Sequence, residues 1–238
     1  MNNKDTAPSQ DSGPNTAGAR RDALAVRIDT LDLCAEIFKG PDHDAFPGLL
    51  GDDLPALARR AASHGNLLAG PLADLATLAP VDPGPEPAAF LAGLETAYVA
   101  LFVSDFGGVP APLYESCHVP GKGRLMGAPA EAMAERLAQA GLTLAEDLAE
   151  PQDHLSIELE YLAFALDESL EYDDPETVEM AGDFAAQILP VWRRWAEALR
   201  TVLDSRSPAP TPAEAFYLAA ARLVLAVLAE VASDGKRP

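Results

Sequence analysis

The chain has 238 residues, 48% of them hydrophobic, and a formal net charge of −20 from 17 basic and 37 acidic side chains. That length fits one large domain or two small ones, with enough apolar side chains for a real core. The charge weighs against nucleic acid and anionic membrane surfaces as partners, since both are held by clustered Lys and Arg, and it favours basic peptides.

Residues 1–19 are polar and rich in Ser, Asn, Pro and Gly, with no apolar stretch of the signal-peptide kind, and read as a disordered tail. From Arg20 to Phe38, apolar residues recur at Leu24, Ile28, Leu31, Cys34 and Phe38, which is helical spacing stopped by Gly40-Pro41. A second helix is predicted over Asp53–Leu68 and, after a break at Gly70-Pro71, a short third over Leu72–Leu78. The proline-rich Pro80–Pro87 is a loop, and Pro87–Phe102 is a helix with Phe90, Leu91, Leu94, Tyr98 and Leu101 on one side. Ser104–Gly127 is rich in Gly and Pro and irregular; Ala130–Ala140 is a helix ended by Gly141.

The next helix is predicted over Pro151–Leu170, with Pro151 in the first turn, where its missing N–H costs nothing, and Asp153 beside the dipole's positive end. Asp174-Pro175 starts another, which Pro190 kinks or breaks before Val191–Leu203. Thr211, Pro212 and Glu214 spell a capping box for the last helix. That helix's apolar stretch, Ala213–Val231, reads as too short and too charged for a membrane span. Residues 233–238 read as a flexible end. No segment alternates with period two. The expectation is an all-α fold, a single helical bundle of about nine or ten helices over residues 20–232.

Few residues suggest catalysis. Asp105-Phe106-Gly107 copies a kinase tripeptide without the other kinase motifs, and Gly121-Lys122-Gly123-Arg124 lacks the spacing of a phosphate loop. Cys34 and Cys117 suit plain thiols in a reducing cytoplasm, and neither Cys117-His118 nor the four histidines have metal-ligand spacing. The sequence thus implies no catalytic residues, no metal and no cofactor. Between Glu146 and Asp183 lie fourteen acids and no Lys or Arg. Such a run is either a solvated helix face or a surface that draws in a cationic peptide.

Two strings stand out: Pro112-Leu113-Tyr114-Glu115-Ser116 and Glu150-Pro151-Gln152-Asp153-His154-Leu155. With their spacing they resemble the TorD/DmsD/NarJ-type molybdoenzyme chaperones, the redox enzyme maturation proteins. Leu189-Pro190 followed by Trp192 and Trp195 resembles the family's late Pro-Trp helix, with the aromatic displaced by one. The resemblance implies an all-helical cytoplasmic chaperone, not an enzyme, a monomer or homodimer. It would bind a molybdopterin-containing oxidoreductase apo-subunit, through its twin-arginine signal peptide or another segment, until cofactor is inserted. It would also proofread export. By the same resemblance Tyr114, Glu115, Ser116, Pro151, Asp153 and His154 are the candidate peptide-binding residues. The rival readings are a helical adaptor or regulatory protein and a small nucleotide-hydrolysing enzyme.

Overall fold

The computed structural model describes residues 14–79, 85–104, 108–120, 125–144, 150–205 and 209–234. The Asp105-Phe106-Gly107 and Gly121–Arg124 strings, Glu146, Asp147 and the extreme ends of the chain lie outside them. The fold is all-α, as expected. Among the described residues there are nine α-helical segments: α1 (Pro14–Lys39), α2 (Phe46–Gly48), α3 (Leu54–Ser63), α4 (Ala69–Leu78), α5 (Pro85–Tyr98), α6 (Ala128–Gln139), α7 (Leu155–Tyr172), α8 (Pro175–Ser205) and α9 (Pro212–Asp234). Wider π turns join α2 to α3 at Leu49–Asp53 and end α5 at Val99–Val103.

Helix α9 is the hub, packed against α8, α4, α1 and α5, while α7 lies between α1 and α8. Its sequence explains the place: Phe216, Tyr217, Ala220, Leu223, Val224, Val227 and Leu228 are fully buried, so it is apolar nearly all round. The capping box forms as predicted: Glu214 N–H donates to Thr211 Oγ1 (3.2 Å) and Thr211 N–H to Glu214 Oε2 (2.8 Å). One expectation fails here. Residues Pro212–Ser233 form a 22-residue helical stretch, long and apolar enough to cross a membrane by length and composition, because its charges are few. In this fold most of that helix is buried inside the protein, as in the core helix of a bundle.

Three boundaries also moved, each for a local reason. Helix α1 already runs from Pro14, inside the segment assigned to the tail. Gly70-Pro71 does not break a helix but sits in the first turn of α4, where a missing N–H removes no intrahelical bond. Pro190 lies within α8, which continues to Ser205; its ring faces solvent, where the loss of one hydrogen bond is tolerated. One helix thus replaces two predicted pieces at Pro190, whereas α3 and α4 stay separate, with the break between Ser63 and Ala69.

An aromatic cluster ties the helices to the irregular segment after α5. Phe38 of α1 meets Trp195 of α8 edge-on at 5.3 Å and Phe102 at 5.8 Å, and Phe102 meets Tyr217 of α9 at 5.2 Å. Such pairs contribute about 0.5–1.5 kcal/mol each beyond their burial. Two of the rings also hold backbone: Tyr98 donates its hydroxyl to Phe38 O (3.0 Å), and Trp195 Nε1–H donates to Ala111 O (3.2 Å). Gly40 is required beside Tyr98, for its φ is 112° and a Cβ would stand 3.2 Å from the tyrosine ring.

Candidate functional site

The Trp195–Ala111 bond and an Ala111 N–H to Leu101 O bond (3.0 Å) fix the start of the stretch carrying Tyr114. Beyond them, the two strings singled out in the sequence meet. Tyr114 and His154 form an isolated antiparallel bridge, with Leu155 N–H donating to Leu113 O (2.8 Å) and Glu115 N–H to Asp153 O (2.9 Å). Segments some forty residues apart are therefore locked backbone to backbone. Ser116 N–H donates to Asp153 Oδ2 (2.8 Å), so a buried carboxylate accepts one amide of the 3-10 turn Glu115–Cys117. The Tyr114 hydroxyl donates to Glu150 Oε2, and the Tyr114 ring stands edge-on to His154 at 5.2 Å.

All six predicted residues are thus in one place, but not as the helix reading had them. Helix α7 starts at Leu155, not Pro151, and Asp153 precedes it instead of lying in its first turn. The N-cap is His154, whose Nδ1 accepts Ser156 N–H (3.2 Å) and lies 2.8 Å from Ser156 Oγ. The reason is competition: Asp153 O and Leu155 N–H bond to the Tyr114 segment, and in a helix begun at Pro151 both would be taken up by bonds along the helix. Asp153 is 0% exposed, Ser116 1%, His154 5% and Glu115 8%. Of these strings Glu150 is exposed, and Pro112, Tyr114, Pro151 and Gln152 are half-buried.

Below the bridge the acidity turns inward. Glu158, one turn into α7, is fully buried and accepts Trp192 Nε1–H (2.7 Å). Its carboxyl adjoins that of Glu115, and Asp153 stands close enough to raise both. Among the described residues no ion pair reaches any of the three. Burial holds Glu158 well above the usual carboxylate range, and the Glu115 charge adds to it. Burial raises Glu115 too; the Glu158 hydrogen bond and the more distant Arg136 and Arg194 pull the other way. Sequence reading missed Glu158 and Trp192 as parts of this site. The signal was an acid among leucines: Leu155, Leu159 and Leu162 share the buried surface of α7 with Glu158.

His154 and His118 are depressed below the ordinary histidine value, chiefly by burial. Burial thus favours the neutral ring in both, with His118 Nε2–H donating to Pro112 O (2.6 Å). A group with a depressed folded pKa contributes stability that is present above its unfolded value, near 6.5, and lost as pH falls. His154→Asn isolates one of them, because asparagine also caps a helix but does not titrate. Wild type and variant are expected to run parallel above about pH 7. Below about pH 6.5 the wild type should lose stability faster, by at most about 1.4 kcal/mol per pH unit, the one-proton limit. Urea midpoints at several pH values check this; a constant gap would remove His154 from the acid response.

On the chain segments that precede and follow Tyr114, several large apolar side chains are left in solvent. Val99 and Val103 come from the π turn, Val109 from the stretch after it, and Leu125 and Met126 from the residues before α6. Met126 has φ 59°, an unusual conformation for a residue with a Cβ. Among the described residues no group of His, Cys, Asp and Glu could hold a metal ion.

The fold and site define an all-helical scaffold with two distant segments clasped at one face. The chain belongs to the nitrate reductase delta subunit family, whose model matches residues 66–199 and which groups the TorD- and NarJ-type chaperones. It is 30% identical over 126 residues to the chaperone protein TorD of Vibrio parahaemolyticus, covering 51% of this chain and 53% of that one. Against TorD of Ferrimonas balearica the identity is 31% over 133 residues, covering 56% and 55%. The chain spans about half the length of the curated relatives it matches. A crystal structure from Archaeoglobus fulgidus named for redox enzyme maturation superposes with TM-score 0.47 at 24% identity, over 85% of this chain and 93% of that one.

Proposed function

We propose that this protein is a cytoplasmic chaperone for maturation of a molybdenum oxidoreductase, and that it binds a basic, partly apolar segment of the apo-subunit at the Tyr114–Glu150 face. The observation that carries the reading is the clasp itself: the two strings converge, with an acid and a tyrosine at the surface, and exposed valines, leucine and methionine lie on the chain segments before and after it. A twin-arginine signal peptide offers the matching chemistry, paired guanidinium groups ahead of an apolar stretch. Exposed carboxylates take guanidinium in charge-assisted bonds, and apolar contact supplies the affinity that exposed ion pairs lack. In this reading Tyr114, Glu150 and Pro151 touch the client, while Glu115, Ser116, Asp153 and His154 hold them in place. No bond is made or broken, so the protein acts by binding and release.

The test is co-expression with a molybdenum oxidoreductase from the same organism. Cofactor content of that enzyme should rise when this chain is present and fall when it is deleted. Equal loading in both strains would overturn the reading in favour of an adaptor or regulator.

A prediction about rate follows from the charge. Of the acids between Glu146 and Asp183, Glu158 and Asp153 are buried, but Glu150, Glu171, Asp173, Glu176, Glu179 and Asp183 are at or near the surface. They are positioned to steer a cationic peptide from a distance. Raising salt from low to physiological should slow association with a twin-arginine peptide more than it speeds dissociation, since screening acts over about 8–10 Å. Stopped-flow fluorescence separates the two rates; a salt-independent association rate would leave those acids to solubility alone.

A further inference from the structure

Three carboxyl groups lie buried where the Glu115–Cys117 turn meets α7 and α8, and their partners are too few for three charges. Asp153 accepts one amide and its Oδ1 has no partner among the described residues; Glu158 accepts only the Trp192 indole and its Oε1 has none. The groups that face the pair are Asp153 from the segment before α7, Arg136 from α6 and Arg194 from α8, the two arginines acting on Glu115 without forming ion pairs. Arg136 is engaged elsewhere, its guanidinium 4.2 Å above the Phe184 ring, and Arg194 Nε–H donates to His118 O (2.8 Å). An isolated buried carboxylate is costly enough that such a group takes up a proton instead. Adjacent carboxyls cannot both ionise cheaply. One proton shared between Glu115 and Glu158 would supply a donor to Glu158 and remove one charge.

We propose that Glu115 and Glu158 form a one-proton latch, which when protonated holds the Tyr114–Cys117 turn against α7 and α8 and when ionised lets it go. The proposal deepens the reading above, because the turn it holds carries Tyr114 and Ser116; it names the regulation of that site. Loss of the proton leaves two carboxylates facing each other beside Asp153, and the turn is the part free to move: α7 is anchored by Leu155, Leu159 and Leu162, all fully buried. The turn is held by the bridge, by Asp153 and by this pair. The direction is fixed by sign. A carboxyl whose folded pKa is raised contributes stability that is full below its unfolded value and lost as pH rises through the folded value. The latch therefore closes on the acid side and opens on the alkaline side.

The test needs no client, so it stands or falls apart from the chaperone reading. Amide exchange of residues 114–117 is followed from about pH 5 to about pH 9, a window that starts above ordinary carboxylate values. After correction for intrinsic chemistry, wild-type protection should fall with pH by up to about tenfold per unit, the one-proton limit. In Glu158→Gln the amide carbonyl still accepts the indole N–H and its NH2 donates to Glu115 without titrating. Protection there should stay flat. Equal pH dependence in both proteins overturns the latch. Side-chain carboxyl titrations by NMR of the unsubstituted protein give a second reading that does not depend on the variant folding. A raised, mutually coupled pair supports the proposal, and two ordinary carboxylate titrations overturn it.

Discussion

Trp192→Ala is expected to cost about 4–8 kcal/mol, enough to unfold much of a protein whose total stability is about 5–15 kcal/mol. Two losses add. The indole is fully buried and stacked edge-on against Trp195 at 5.5 Å, and emptying such a site costs about 3–5 kcal/mol. Glu158 also loses its Nε1–H donor, at about 1–3 kcal/mol for a buried polar group left unpaired. Trp192→Phe separates them, since it keeps most of the packing and should cost only the second amount. Urea titration followed by far-ultraviolet circular dichroism gives both values. A small cost for Trp192→Ala, under about 2 kcal/mol, would show that the carboxyl cluster does not depend on this donor.

Glu150→Lys is expected to have the largest effect on client binding. The side chain is exposed and holds the Tyr114 hydroxyl, so the fold loses one surface hydrogen bond, about 0.5–1.5 kcal/mol. For a twin-arginine peptide the change replaces an acceptor with a like charge. Affinity should fall by roughly 10–100-fold, the scale of about 1.5–3 kcal/mol for hydrogen bonds to charged groups. Asp153→Asn is the contrast. It keeps an oxygen for Ser116 N–H and, being buried, should change affinity far less. Calorimetry with a synthetic peptide and a melting curve for each variant decide the matter. Unchanged affinity in Glu150→Lys would place the client elsewhere on the surface.

The all-α class, the capping box of α9 and the apolar face of α7 were legible because each depends on residues within a few positions of one another. Leu155, Leu159, Leu162 and Leu166 repeat at helical steps, and all four are fully buried. The two strings around Tyr114 and Asp153 could be singled out from their residues and spacing. Their meeting could not be read that way, because the Leu155 N–H to Leu113 O bond joins residues 42 positions apart by number and no periodicity encodes it. That bond and its neighbours decided that Asp153 would be a buried acceptor instead of a first-turn carboxylate. They also decided that His154 would cap α7.

The same division holds for charge. Composition alone determined a strongly acidic chain suited to cationic partners. It could not tell which acids face water, since Glu158 and Glu160 are neighbours in sequence while the first is fully buried and the second pairs with Lys39 at the surface. A helix turns about 100° per residue, so two positions along it can point to opposite environments. Which of those environments is the interior depends on where α8 and its Trp192 pack. Local chemistry set the helices; the packing of α1, α8 and α9 around α7 and the Tyr114 segment decided which carboxyls became a surface and which became a buried, proton-sharing pair.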